Sequence, residues 1–70
     1  MSNKKEWITN HAYMREVLCE RIHESTQALE FVSERELLSM DDYEELVDIA
    51  EERIQTASDN EILIMYAEVA

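Results

Sequence analysis

The chain has 70 residues, with 17 Asp and Glu against 6 Lys and Arg, so its formal net charge is -11. This length fits one domain, residues 1–70, with a core that is marginal without oligomerisation, since a single cysteine forms no internal disulfide. The charge argues against direct binding to nucleic acid or to an anionic membrane, because both depend on cationic side chains.

The absence of Gly and Pro from the chain favours an all-α fold. Tight hairpin turns depend on such residues, whereas the Glu, Leu, Ala, Met and Arg that dominate here are good helix formers. We predict a small bundle of three helices, or of four if the first helix is broken.

The first predicted helix runs from about residue 4 to about residue 34. Side chains recur along it at intervals of three and four residues, within an arc of about 80°. This stripe consists of Trp7, His11, Met14, Leu18, Ile22, Ser25, Leu29 and Val32. Because the stripe stays in phase, we favour a continuous or kinked helix. A break at Ser25 and Thr26 is the alternative, since both residues compete for helical hydrogen bonds.

The second predicted helix spans about residues 40–56, with Ser39 as its N-cap. Its apolar face consists of Tyr43, Leu46, Val47, Ala50 and Ile54. The third spans about residues 59–69, after a capping box formed by Ser58 and Glu61. It is apolar on all sides, so we expect it to be buried centrally or covered by a partner. A short strand is the competing interpretation, because Ile, Tyr and Val favour strands.

The excess negative charge lies entirely in residues 30–70, because residues 1–29 carry equal numbers of acidic and basic residues. We predict a partner-binding surface made by Asp41, Asp42, Glu44, Glu45, Asp48, Glu51 and Glu52. Like charges four residues apart cost a helix a few tenths of a kcal/mol per pair. Such a local conflict is typical of a functional surface that meets a basic partner. A solvated face that only keeps the protein soluble is the alternative, and both interpretations stay open.

Metal and catalytic sites are not expected. Cys19 and His23 are four residues apart, but zinc takes four ligands, or three and a water. The acidic cluster lacks the Gly of an EF-hand loop, and no Gly-rich phosphate loop is possible. Neither histidine has a nucleophile and an orienting carboxylate in a recognisable motif. We therefore predict no catalytic residues, no metal, no cofactor and no enzymatic activity.

The predicted function is a small acidic binding protein, an inhibitor or modulator that occupies the basic, nucleic-acid-binding surface of another protein. Its size and charge are typical of phage and mobile-element products, which is an analogy at the level of size and fold only. Apolar contacts to a partner or a second copy are expected from Trp7, Met14, Leu18, Ile22, Leu29, Tyr43, Ile62, Met65 and Tyr66.

A second hypothesis is a helical homo-oligomer, for example a dimeric antitoxin-like regulator or an adaptor, in which the stripe from Trp7 to Val32 pairs helices. The acidic face then only solubilises the assembly. A helix-turn-helix regulator is a weaker option, because only Arg53 is available for phosphate there. A cytoplasmic location is expected, since the cysteine is single and no apolar run resembles a signal or a membrane span.

Overall fold

The computed structural model describes residues 10–70, which form four α-helices and one 3-10 turn, with no strand in that part of the chain. The elements are α1 (His11–Glu24), α2 (Thr26–Ser33), the turn Met40–Asp42, α3 (Tyr43–Thr56) and α4 (Asp59–Val69). The predicted all-α bundle is confirmed, and so is the helix that we predicted for the last segment. The stripe residue Trp7 lies outside the described residues.

Within the described residues the first helix begins at His11, and the predicted start near residue 4 lies outside them. Asn10 is its N-cap and has non-helical backbone angles, and its side chain accepts a hydrogen bond from the Tyr13 amide. This side chain satisfies an amide that has no partner within the helix, which fixes the start of α1.

The alternative of a break near Ser25 is found, in place of the continuous or kinked helix that the in-phase stripe favours. Ser25 has extended backbone angles (φ -136°, ψ 122°). Its amide donates to the Arg21 carbonyl at the end of α1, and its hydroxyl accepts from the Ala28 amide at the start of α2. One residue therefore caps two helices, so the break leaves these backbone groups satisfied.

The later helix boundaries match the prediction closely. Ser58 and Glu61 form the predicted capping box at the start of α4. Met40–Asp42 is a 3-10 turn instead of the first α-helical turn, and Ser39 makes no side-chain capping bond there. At the end of α2, Glu34 takes the left-handed conformation (φ 60°) that glycine would occupy more easily, since the chain has no glycine.

The core lies between all four helices. Its buried members are Leu18, Ile22, Leu29, Val32, Leu46, Ala50, Ile54, Ala57, Ile62 and Met65. α1 and α2 each pack against both α3 and α4, whereas α3 and α4 are not a closely packed pair among the four described helices. A groove is therefore left between α3 and α4, with α2 beside it. No helix within residues 10–70 combines the length and the apolar character needed to cross a bilayer.

Candidate partner-binding surface

The seven predicted partner-binding residues lie on one side of the 3-10 turn and α3, which we call the acidic band. It consists of Asp41, Asp42, Glu44, Glu45, Asp48, Glu51 and Glu52. Asp42 and Glu51 are half-buried, and the other five are exposed. The band faces outward because the opposite face of α3, which carries Leu46, Ala50 and Ile54, is fully buried in the core.

The first two residues of the band depart from the predicted spacing. Asp41 and Asp42 lie in the 3-10 turn, where each residue advances about 2.0 Å instead of the about 1.5 Å of an α-helix. Only the carboxylates from Glu44 onward therefore have α-helical spacing. The band is a turn followed by a helix face rather than one straight row.

Two arginines of α1 bind the carboxyl ends of other helices. Arg15 donates from Nε to the Ile54 carbonyl (3.1 Å) and from Nη2 to the Ala57 carbonyl (2.7 Å), at the end of α3. Arg21 donates from Nε to the Val69 carbonyl (2.8 Å), at the end of α4. A cation is favourable at a helix carboxyl end, where carbonyls lack helical partners. These two cations are therefore committed to holding the bundle together.

The two remaining arginines form ion pairs on the surface. Arg35 lies 3.7 Å from a carboxylate oxygen of Glu45, and Arg53 lies 3.5 Å from one of Glu34. Within residues 10–70, Glu45 is the only band residue that pairs with an arginine. Five band carboxylates have no ion-pair partner in this part of the chain: Asp41, Asp42, Glu44, Asp48 and Glu52.

The edge of the band meets α1 around Cys19. His23 contacts both helices, with Nδ1 2.8 Å from the Cys19 carbonyl oxygen and Nε2 3.9 Å from a carboxylate oxygen of Glu51. Burial raises the pKa of the Cys19 thiol, and the negative charges of Glu51 and Glu16 raise it further. Carboxylates from α1 and α3 thus flank one cysteine. Sequence reasoning missed this, because only the spacing of Glu16 and Cys19 is local.

A metal site is not formed by these side chains. No group of three or more His, Cys, Asp or Glu side chains within residues 10–70 is placed to hold a metal ion. The other histidine, His11, has Nδ1 3.6 Å from an Asp59 carboxylate oxygen, beside the Arg15 contacts at the junction of α3 and α4.

Most of the predicted apolar contact residues lie in the core of the single chain. Leu18, Ile22, Leu29, Ile62 and Met65 are buried, Met14 and Tyr43 pack against them while partly buried, and Tyr66 is half-buried. Trp7 lies outside the described residues. The stripe is therefore covered by the other helices of the same chain, and burying it does not require a second copy.

A different set of apolar side chains is exposed. Phe31 on α2 is 43% exposed, and Leu63 and Ile64 on α4 are 41% and 57% exposed. None of the three was among the predicted contact residues. The sequence did contain a signal for this exposure. The last helix is apolar on all sides, and such a helix exposes some apolar residues when it lies at the surface of a bundle.

The α2–α4 groove is the space between α2, the end of α3 and α4, and it has a volume of about 690 Å³. Its apolar lining is Phe31, Val32, Ala57, Ile64 and Met65, and its polar lining is Glu30, Glu34, Arg53, Thr56 and Glu61. Phe31 and Ile64 come from different helices and contribute exposed apolar surface to the same space.

No family model, curated protein or solved structure matches the chain. Two features of the described surface are candidates for function. The acidic band supplies carboxylates without cationic partners in the described chain, and the α2–α4 groove supplies apolar surface that the bundle leaves exposed.

Proposed function

We propose that this protein is a non-enzymatic inhibitor or modulator that places its acidic band on the basic, nucleic-acid-binding surface of another protein. One observation carries the proposal. Five band carboxylates have no ion-pair partner within residues 10–70. Three of the four arginines in that range contact groups outside the band, and the fourth, Arg35, pairs with Glu45.

The energetic cost of the band supports a role in binding. Asp48 lies four residues from both Glu44 and Glu52, and these like-charged neighbours destabilise the helix by a few tenths of a kcal/mol per pair. Glu16, Glu20 and Glu24 on α1 share this spacing, but the band is denser, with seven carboxylates within residues 41–52. Glu36 and Glu68 are exposed carboxylates without such crowding. A protein that needed only solubility would gain it from dispersed charges, so the crowding favours a contact surface.

The chemistry of the band indicates a cationic partner. Carboxylates along α3 recur about 4.5–6 Å apart on the helix axis, which makes an anionic row comparable to a nucleic-acid backbone. A surface that binds phosphates with Lys and Arg would accept such a row. Electrostatic complementarity of this kind mainly accelerates association and selects the partner.

The other parts of the proposal follow the sequence. The free Cys19 suits a reducing cytoplasm, where thiols remain unpaired. A relation to phage or mobile-element proteins remains an analogy of size and fold. The homo-oligomeric alternative has less support, because the stripe that was expected to pair helices is buried within one chain.

The test is affinity capture from a cell lysate, with identification of the bound proteins by mass, for the natural chain and a band variant. The variant combines Asp41→Asn, Glu45→Gln, Asp48→Asn and Glu52→Gln. We expect it to lose the basic proteins that the natural chain retains. We also expect their release when salt rises from about 0.05 M to about 0.5 M, because the screening length falls severalfold.

The matched control removes four carboxylates outside the band, by Glu16→Gln, Glu20→Gln, Glu36→Gln and Glu68→Gln. These residues are exposed and form no ion pair within residues 10–70, and both variants have the same net charge. A captured protein should also be displaced by a short DNA or RNA duplex. Equal capture by the natural chain and the band variant would contradict the proposal.

A further inference from the structure

We propose that the α2–α4 groove is the anchor site for the same partner. It takes an apolar side chain from a segment whose neighbouring residues are Lys or Arg. This inference rests on the proposed function and adds the chemistry of the segment that is recognised. The groove volume of about 690 Å³ is within the range of sites that enclose a ligand group.

The apolar part of the groove supplies the anchor contact. Phe31 and Ile64 face the same space from α2 and α4 while 43% and 57% exposed. Met65 and Val32, which line the same space, are buried and belong to the core, so the floor is held in place by the bundle. A pocket with a rigid floor and exposed aromatic and aliphatic walls is the usual setting of an interface hot spot.

The charge around the groove selects a basic segment over a second copy of the chain. Three carboxylates line the groove, those of Glu30, Glu34 and Glu61, against the single cation of Arg53. Arg53 lies 3.5 Å from Glu34. Glu30 accepts a hydrogen bond from the Leu37 amide and Glu61 accepts one from the Ser58 amide in the capping box, but neither carboxylate has a cation in the groove lining. A second copy would place like-charged rims against each other, which is unfavourable, whereas Lys or Arg would be attracted.

The groove is continuous with the acidic band. Arg53 and Thr56 line the groove and also line a shallow depression beside it, together with Glu52 of the band. A segment anchored between Phe31 and Ile64 therefore has the carboxylate of Glu52, at the end of the band, beside it. The apolar groove fixes the position of the segment, and the band contributes long-range attraction.

The experiment is a titration of the isotopically labelled full chain, followed by amide NMR shifts, with three designed helical peptides. The first carries Leu on one face and Lys on the other, the second replaces Leu with Ser, and the third replaces Lys with Glu. We expect the first peptide to bind about tenfold more tightly than the second, and to shift the amides of Phe31, Ile64 and Glu52. The third peptide should not bind.

The groove variant Phe31→Ser with Ile64→Ser should reduce the affinity for the Leu/Lys peptide about tenfold and leave that for the Ser/Lys peptide unchanged. The matched control, Tyr13→Ser with Leu38→Ser, also removes an exposed aromatic and an exposed aliphatic residue, at 53% and 78% exposure, both outside the groove lining. It should bind as the natural chain does. Because all four side chains are exposed, both variants should fold, and circular dichroism verifies this.

The outcomes separate this inference from the proposed function. The Leu/Lys and Ser/Lys peptides could bind the natural chain with equal affinity, and neither could bind the band variant. This result would overturn the groove as an anchor site and would support partner binding by the acidic band. Binding of the Leu/Glu peptide would overturn the preference for a basic segment. Self-association in sedimentation that the groove variant abolishes and the control retains would show that a second copy covers the groove. No binding of any peptide would contradict both proposals.

Discussion

α1 and α3 are helices of equal length, 14 residues each, that use their charges in opposite ways. The two arginines of α1 bind the carbonyl groups at the ends of α3 and α4, so its cations stabilise the bundle. α3 presents to solvent a run of carboxylates, most of which have no cationic partner in the described chain. The comparison indicates that α1 serves the fold, while the outer face of α3 is available for an intermolecular contact.

The largest expected effect on stability comes from the core, to which both α1 and α3 contribute. Leu18 on α1 and Leu46 on α3 are both fully buried. We expect Leu18→Ala and Leu46→Ala each to lower the free energy of unfolding by about 3 kcal/mol, through lost burial and a cavity. Urea denaturation measures the change, and Leu38→Ala, at a residue that is 78% exposed, is the control. A small loss at Leu46 alone would show that α3 is not an integral part of the core.

The second prediction concerns the cations of α1. Arg15→Gln should lower the free energy of unfolding by about 2 kcal/mol, because carbonyls at the end of α3 lose charged donors. The control is Arg35→Gln, which removes an exposed ion pair with Glu45 and should cost less than about 0.5 kcal/mol. Urea denaturation under identical conditions compares them. Equal losses would mean that Arg15 has no special structural role, and the contrast between the helices would weaken.

The third prediction concerns the carboxylates of α3. Asp48→Lys should raise the free energy of unfolding by about 1 kcal/mol at low salt, since two like-charged pairs, with Glu44 and Glu52, become favourable ones. Salt should reduce the gain by screening. The control is Glu36→Lys, which gives the same net charge at a residue outside the helices. We expect it to change the free energy of unfolding little. A destabilised Asp48→Lys variant would show that the band contributes to the fold.

The smallest expected effect lies where α1 and α3 meet, at Cys19. Burial and the nearby Glu51 and Glu16 raise the pKa of its thiol above the ordinary value of 9.0. The folded state therefore keeps the thiol proton at pH values where the unfolded chain has lost it. This contribution to stability is complete below the unfolded pKa and is lost as the pH rises through the folded pKa.

The difference in free energy of unfolding between the natural chain and Cys19→Ala measures this contribution between about pH 7 and pH 10. We expect the natural chain to lose stability relative to the variant as the pH rises. Other titrating groups cancel in the difference, because both proteins contain them. A difference that is constant or that grows in the opposite direction would contradict the partial burial of the thiol and the charges beside it.

The sequence by itself determined the features that depend on neighbours along the chain. The helical class followed from composition, and the start of α4 followed from the capping box of Ser58 and Glu61, whose partners are three residues apart. The buried face of α3 and the outward direction of the acidic band followed from helical periodicity. These features depend on interactions within one or two helical turns, so a pattern of residue types is sufficient to predict them.

Only the tertiary structure decided the features that depend on distant partners. Arg15 and Arg21 bind carbonyls 39 to 48 residues away, and no local pattern marks them as structural rather than available cations. The apolar stripe is compatible with a continuous helix and with a break at Ser25, so residue spacing did not decide between them. The exposed side of α4 and the α2–α4 groove exist because α3 and α4 do not pack closely together. Such arrangements are set by the sum of many long-range contacts, which residue spacing does not encode.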